Sequence, residues 1–344
     1  MSEGHPLVSV IVVNWNRREI LRHCLHSLAR QTLGNYEVIV VDNGSSDGSL
    51  ELGSDGTLPP AQWIANTGNQ GFGVAVNQGI TASQGDFIAL LNNDAEAAPG
   101  WLATLVDALH AHPRVGMAAS KIVAFDDHGT LDKVGHLIYP DGQNRGRGSG
   151  EKDEGQFDAI EEVAWPDGCA ALYRREMIDS IGGFDEDFFA YADDAELGLR
   201  GQLAGWTCLY VPRAVVYHRL GSTLGRFSEQ RLFLIERNRI WLVAKLFPWR
   251  LIVVNPFYFT LRCLATAYAA LTGRGEAAMA QGQLGLWRLM RCILKAQVAG
   301  WAGVPTMLRK RRGMRAARKL SSSEGYRLIR RFQIPLCDLV FKAR

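Results

Sequence analysis

The sequence predicts an α/β fold with a mostly parallel central sheet flanked by helices, followed by a helical region that associates with membranes. Three observations carry this. Two continuous apolar runs, Leu7–Val13 and Tyr36–Val41, flank a segment in which Ile20, Leu21, Cys24, Leu25 and Leu28 recur at helical spacing. Strand, helix and strand in that order form a βαβ unit, hence a parallel pair. Both strands end in Asn- and Asp-rich turns, and parallel sheets bind their ligands beyond the carboxyl ends of the strands. Finally, the charge balance reverses along the chain. Residues 1–225 carry 15 Lys and Arg against 30 Asp and Glu, whereas residues 226–344 carry 23 against 5. Two parts facing different partners are expected, 1–240 and 241–344.

At 344 residues, 47% of them hydrophobic and 21% charged, the chain can bury a full core. The six cysteines are scattered with no CxxC pair, which excludes a zinc ribbon or disulfide framework and points to free thiols in a reducing compartment. MSEGHP runs straight into LVSVIVV without the basic and long apolar regions of a secretory signal.

The first strand ends in Asn14-Trp15-Asn16 and the second in Asp42-Asn43-Gly44. Asp42 is either a ligand for a base or ribose or a plain turn former. Gly68, Gly71 and Gly73 precede a helical stretch with Asn77, and glycines there let backbone amides approach a phosphate. Their order is GxxGxG and they do not follow the first strand, so this is not a dinucleotide fingerprint. Asp86–Leu91 is a further strand, ending in Asn92-Asn93-Asp94. Those hard oxygen donors suit Mg2+ or Mn2+, or else cap a turn. A helix over Trp101–His110 and a strand over Val115–Ser120 follow. Residues 125–162, rich in Gly and charge and poor in periodicity, read as a hairpin and a mobile loop.

After Trp165-Pro166-Asp167-Gly168-Cys169 come a strand, Ala170–Tyr173, and a helix, Arg174–Ile181. Next, FFAYADDAELGLR places Asp193, Asp194 and Glu196 in the first turn of a helix, with Glu196 one turn from Arg200. The positive end of the helix favours ionised acids, and an ionised carboxylate in a cleft can take a proton from a hydroxyl. A charged helix start is the alternative. Two short strands, Thr207–Val211 and Ala214–Tyr217, end at His218.

Taken in order, VSVIVVNWN, VIVVDNGSSDGS, NTGNQGFGVAVNQG, LLNNDA, PDGCAALYRRE, GGFDEDFFAYADDAELGLR and VYH resemble the inverting family 2 glycosyltransferases with the GT-A fold, over residues 7–240. The likeness is to bacterial rhamnosyl- and galactofuranosyltransferase-like members that build surface polysaccharides. It implies a catalytic domain over 1–240 and a nucleoside-diphosphate sugar, UDP- or dTDP-linked, as donor. It implies Asp194 as general base and Asp94 with His218 as ligands of Mg2+ or Mn2+. Asn14 and Asp42 match donor-binding positions, with Asn16, Asn43, Asn66, Gly71, Asn77, Asn92 and Asn93 around them. Trp165, Asp167, Gly168 and Asp193 fall on the acceptor side, where Trp165 and Phe189 either pack on a sugar or belong to the core. Asn92 stands where the family's Asp-x-Asp pattern has its first acid, so the metal leans on the donor diphosphate for charge.

Trp249–Thr272 is long enough to span a bilayer, but Arg262 and Pro256 inside it favour a hairpin on the membrane surface. A helical subdomain or dimer interface, hence an oligomer, is the soluble alternative. Arg309-Lys310-Arg311-Arg312 adds charge that anionic lipids attract. The acidic first part, without a recognition module, argues against nucleic acid. A membrane-held enzyme extending a lipid-linked glycan at the cytoplasmic face accounts for both halves. The competing readings are a nucleotidyltransferase, and an inactive membrane-associated scaffold for which Asn92 is the best support.

Overall fold

The computed structural model describes residues 5–219 and 228–342. Its first unit is β1 (Val8–Asn14), α1 (Arg18–Ala29) and β2 (Tyr36–Asp42), the expected βαβ, with β1 and β2 parallel and Asn14 level with Asp42. β3 (Gln62–Ala65), α2 (Phe72–Ala82), β4 (Phe87–Leu91) and β5 (Ala95–Ala97) follow. Next come α3 (Trp101–Ala111), β6 (Val115–Ala124), β7 (Leu131–Lys133), β8 (His136–Ile138), β9 (Asn144–Gly146) and β10 (Glu161–Val163). The sheet domain ends with β11 (Ala170–Arg174), α4 (Arg175–Ile181), α5 (Asp193–Leu203) and β12 (Thr207–His218).

The sheet runs β10-β12-β6-β11-β4-β1-β2-β3. Alternation along β1 divides its core: Val8, Val10 and Val12 pack with α1 and α3, while Ile11 packs with α2 on the other face. β11 runs antiparallel between β4 and β6, with Ala170 opposite Leu91. The turn Asp167–Cys169 therefore sits at the carboxyl end of β4. The two short strands expected over 207–217 are one strand, β12, whose register breaks between Val211 and Val215. β5 pairs with its end, Ala95 opposite His218, which brings Asp94 beside that histidine.

Residues 125–162 hold the expected hairpin but depart from the expected loop in the rest of the segment. They form β7, the β8–β9 hairpin and β10, and Asp132, His136, Asp141 and Arg145 are buried. Charge pairing, rather than apolar periodicity, packs them: Lys121 Nζ holds Asp153 and Asp158, and Arg145 bonds backbone carbonyls of residues 338, 339 and 342.

The remaining helices are α6 (Glu229–Leu246), α7 (Trp249–Leu271), α8 (Gly275–Leu284), α9 (Leu286–Gly313), α10 (Ser322–Arg331) and α11 (Leu336–Phe341). Residue 240 lies inside α6. A third core joins Leu242, Phe247 and Met307 to Trp165, Phe188 and Leu199 of the sheet domain. Two buried ionic clusters add to the joint. Lys245 bonds Glu196 and Asp185, with Arg200 on the same glutamate. Arg262 of α7 bonds Glu236 and Asp141, the latter at the tip of the β8–β9 hairpin, and Arg239 bonds Glu236 and the Asp141 carbonyl. Among the described residues, α7 is the one helix long and apolar enough to cross a membrane. Its Val253, Phe257, Leu264 and Leu271 are exposed, as are Trp287, Leu294, Val298 and Trp301 of α9.

Candidate active site

The carboxyl ends of β1, β2 and β4 converge on one polar network. Asn14 donates to Asp42 Oδ2 (2.9 Å) and accepts from Asn93 Nδ2 (2.7 Å). Asp42 also accepts from the Ser45 amide and hydroxyl, and Asn16 Oδ1 accepts from the Ser46 amide. Asn43 exchanges bonds with Asn66, Asn69 and the Gly71 carbonyl. Asp42 is fully buried, so its carboxylate shapes this pocket floor from beneath. Asn77 lies apart from it: its amide clamps Phe184 and Glu186 instead. Gly71, at φ +93°, abuts Phe189 so closely that a Cβ would fall 2.7 Å from it.

Asp94 and His218 meet. Asp94 Oδ1 is 3.3 Å from His218 Nε2, and Asp132 Oδ2 is 2.8 Å from His218 Nδ1. An outer carboxylate that fixes one imidazole nitrogen and presents the other to an acid is the arrangement of metal-binding histidines. The imidazole and carboxylate, with the half-buried Asn92 on the same turn, fit Mn2+ or Mg2+. Asp132 was not singled out by the sequence, because no motif marks it.

The carboxylates of α5 form the second focus. Asp194 Oδ2 accepts from the Gly168 amide (3.4 Å) and lies 3.7 Å from His136 Nε2. That nitrogen is 2.8 Å from Asp167 Oδ2, on which Lys133 Nζ also sits at 2.7 Å. His136, Asp167 and Asp194 lie close enough to share a cation. Lys133 already supplies one there, which makes Asp94 and His218 the better metal pair. His136 and Lys133 went unnoticed within the segment read as a loop. Trp165 is fully buried against His136, so it supports the site from behind and is not a sugar platform.

Electrostatics separates the two adjacent acids. The helix terminus was expected to keep both ionised, but burial outweighs it. Burial and the neighbouring Asp194 charge push the Asp193 carboxyl up to about 8. Burial also raises Asp194, against the opposing pull of His136 and Lys133. Of the two, Asp193 is the acid that keeps its proton at neutral pH. Asp167 is held well below the ordinary range, its burial overcome by Lys133 and His136.

The approach to α5 is strained, with positive φ at Phe189, Tyr191 and Ala192. Asn238 of α6, fully buried, holds it by donating Nδ2 toward the carbonyls of Phe188, Ala190 and Tyr191 at 2.7–2.9 Å. A residue beyond the sheet thus fixes the loop that aims Asp194.

Residues 9–182 match Glycosyl transferase family 2. The chain is 28% identical over 288 residues to the N-acetylglucosaminyl-diphospho-decaprenol L-rhamnosyltransferase of Mycobacterium tuberculosis, covering 74% of this chain and 89% of that one. It is 30% identical over 243 residues, 65% of its length, to an uncharacterized protein of Sinorhizobium fredii, of which it spans only 25%. In structure it resembles a mannosyltransferase of Pyrobaculum calidifontis in complex with GDP-Man and Mn2+, with a TM-score of 0.53, 20% identity, and coverage of 92% of this chain and 86% of that chain.

Proposed function

The chain belongs to glycosyl transferase family 2 and has the GT-A fold; on that premise we propose that it is an inverting, metal-dependent enzyme using a UDP- or dTDP-linked sugar donor. The sugar is rhamnose- or galactofuranose-like, and the acceptor is a hydroxyl of a lipid-linked glycan in surface polysaccharide synthesis. The likeness to a rhamnosyltransferase named for a decaprenol-linked acceptor supports this. The observation that carries it is the presence of an Asp94–His218 metal pair together with Asp194, a buried carboxylate at the head of α5 faced by His136 and Lys133.

Asp94 and His218 would hold the ion, which would supply positive charge against the diphosphate leaving group. Asn14, Asn16, Asn43, Asn66, Asn92, Asn93 and Gly71 frame the nucleotide side, with Asp42 setting their geometry. Asp194 Oδ2 takes the proton of the acceptor hydroxyl as its oxygen attacks the anomeric carbon from the face opposite the diphosphate. A single displacement inverts that carbon. Asp167, Gly168 and Asp193 border the acceptor beside Asp194.

Calorimetry with a panel of nucleoside-diphosphate sugars tests the donor assignment. One or two donors should bind at least about tenfold more tightly with Mn2+ than without, a difference of about 1.4 kcal/mol. Folded protein that binds none of them refutes the assignment.

The enzyme acts at the cytoplasmic face of the cell membrane, seated through α7 and α9. Their exposed apolar residues alternate with exposed Arg288, Arg291 and Lys295, the composition of a surface-lying helix pair. The protein should float with vesicles containing phosphatidylglycerol, and the Trp287→Glu, Leu294→Glu double variant should lose about tenfold of that binding. Wild-type protein that stays off anionic vesicles would refute membrane seating.

A further inference from the structure

We propose that His136 is the positioning residue of the base: its N–H edge, held in place by Asp167, faces Asp194 Oδ2 and favours the ionised carboxylate. This rests on the reading of Asp194 given above, but its test does not need that reading to hold.

The imidazole cannot swing. It is 5% exposed and stacks on Trp165, ring centres 5.5 Å apart and planes 13° from parallel. Trp165 is in turn pinned by α5, where a Cβ on Gly198 would fall 2.1 Å from the tryptophan Cβ. The helix that carries Asp194 in its first turn therefore also holds the wall that sets the plane of the ring.

The hydrogen on the ring follows from its partner. Asp167 accepts from Lys133 Nζ and from the Cys169 amide, and with its carboxyl held ionised it can only accept. The Nε2 bonded to it must carry the hydrogen. At 3.7 Å that N–H edge is too far from Asp194 for a hydrogen bond, yet near enough to favour negative charge there. Such contacts tighten when substrate closes the site. A nitrogen already bearing hydrogen cannot collect the proton Asp194 takes up, so His136 orients the base and does not relay.

The groups facing Asp194 show what the ring offsets. Burial and Asp167, in the turn before β11, disfavour its charge, while His136 of β8, Lys133 of β7 and the Ala195 amide favour it; Asp193 on its own helix and Tyr173 on β11 are themselves raised beside it and stay protonated. Without the imidazole edge, Lys133 and one backbone amide would be left to oppose burial and Asp167.

The test reads the Asp194 carboxyl directly, by carbon NMR of the full chain labelled at aspartate, with Asp194→Asn for assignment. His136→Phe keeps a ring against Trp165 and removes the donor; its Asp194 midpoint should rise by about one pH unit. His136→Gln keeps a donor without the fixed plane and should rise by about half of that. An unmoved midpoint in folded His136→Phe overturns the proposal. If His136→Phe does not fold, an unmoved midpoint in His136→Gln does so. In turnover assays the acid limb should shift by the same amount as the titration, with donor KM within about twofold. A titration that moves while the limb stays would leave His136 in its role and remove Asp194 as base.

Discussion

Asp194→Asn is expected to lower transfer by about 10³-fold or more while metal-dependent donor binding stays within about twofold. The fold should tolerate it. An asparagine oxygen can still accept from the Ala195 amide, leaving only the long 3.4 Å Gly168 contact unmade, and losing the charge relieves Asp193, which burial and Asp194 together raise. Donor and metal binding are proposed to lie with Asn14, Asp94 and His218, where Asn14 bonds Asp42 and Asn93 and His218 bonds Asp132. Rates of donor consumption and calorimetry of donor binding on the same preparation separate the two effects. Turnover near the wild-type level would remove Asp194 from the mechanism.

Arg262→Met should cost about 3–5 kcal/mol of stability at neutral pH, read from urea unfolding. Arg262 is the hub of a buried cluster, and its loss leaves Glu236 and Asp141, both essentially out of contact with solvent, to share Arg239. Burial alone would raise Glu236; Arg262 and then Arg239 overcome this and hold it at about 2. A depressed carboxyl contributes stability that is full above its unfolded value, near 4.5, and is lost as pH falls through about 2. The gap between wild type and variant should therefore be complete at neutral pH and narrow in acid. Adding Glu236→Gln should recover part of the loss, since the pair was costly only once broken. A loss below about 1 kcal/mol would show that the cluster is not closed in solution.

Regular elements were legible where one face is apolar. The β1–α1–β2 unit, β4 and α3 all begin and end within two residues of their sequence-based bounds, because burial against a sheet imposes a period that single residues report. The carboxyl-end turns were legible for the same reason, since each closes such a strand. Beyond the presence of a hairpin, residues 125–162 were not: three-residue strands are too short for a period, and His136, Asp132 and Asp141 are buried through partners 31, 86 and 121 positions away. Asn77 and Trp165 were misleading in a different way. Their residue types suit a ligand, yet one is spent on a loop clamp and the other on a ring stack. Arg262 was read as an obstacle to membrane insertion, and its real partners, Glu236 and Asp141, are invisible to any local window.

Those partners give the hairpin a further consequence. Its base carries His136 beside Asp194, and its tip at Asp141 is bolted to α7. A buried ion pair and a short hairpin join the exposed apolar face of α7 to the proposed catalytic base. Were α7 to rest on a bilayer as proposed, Asp194 would stand at one altitude above it, like the head of a fixed post. Acceptor hydroxyls would then be reached only at that altitude, and the length of a lipid-borne glycan would be gauged by the protein itself.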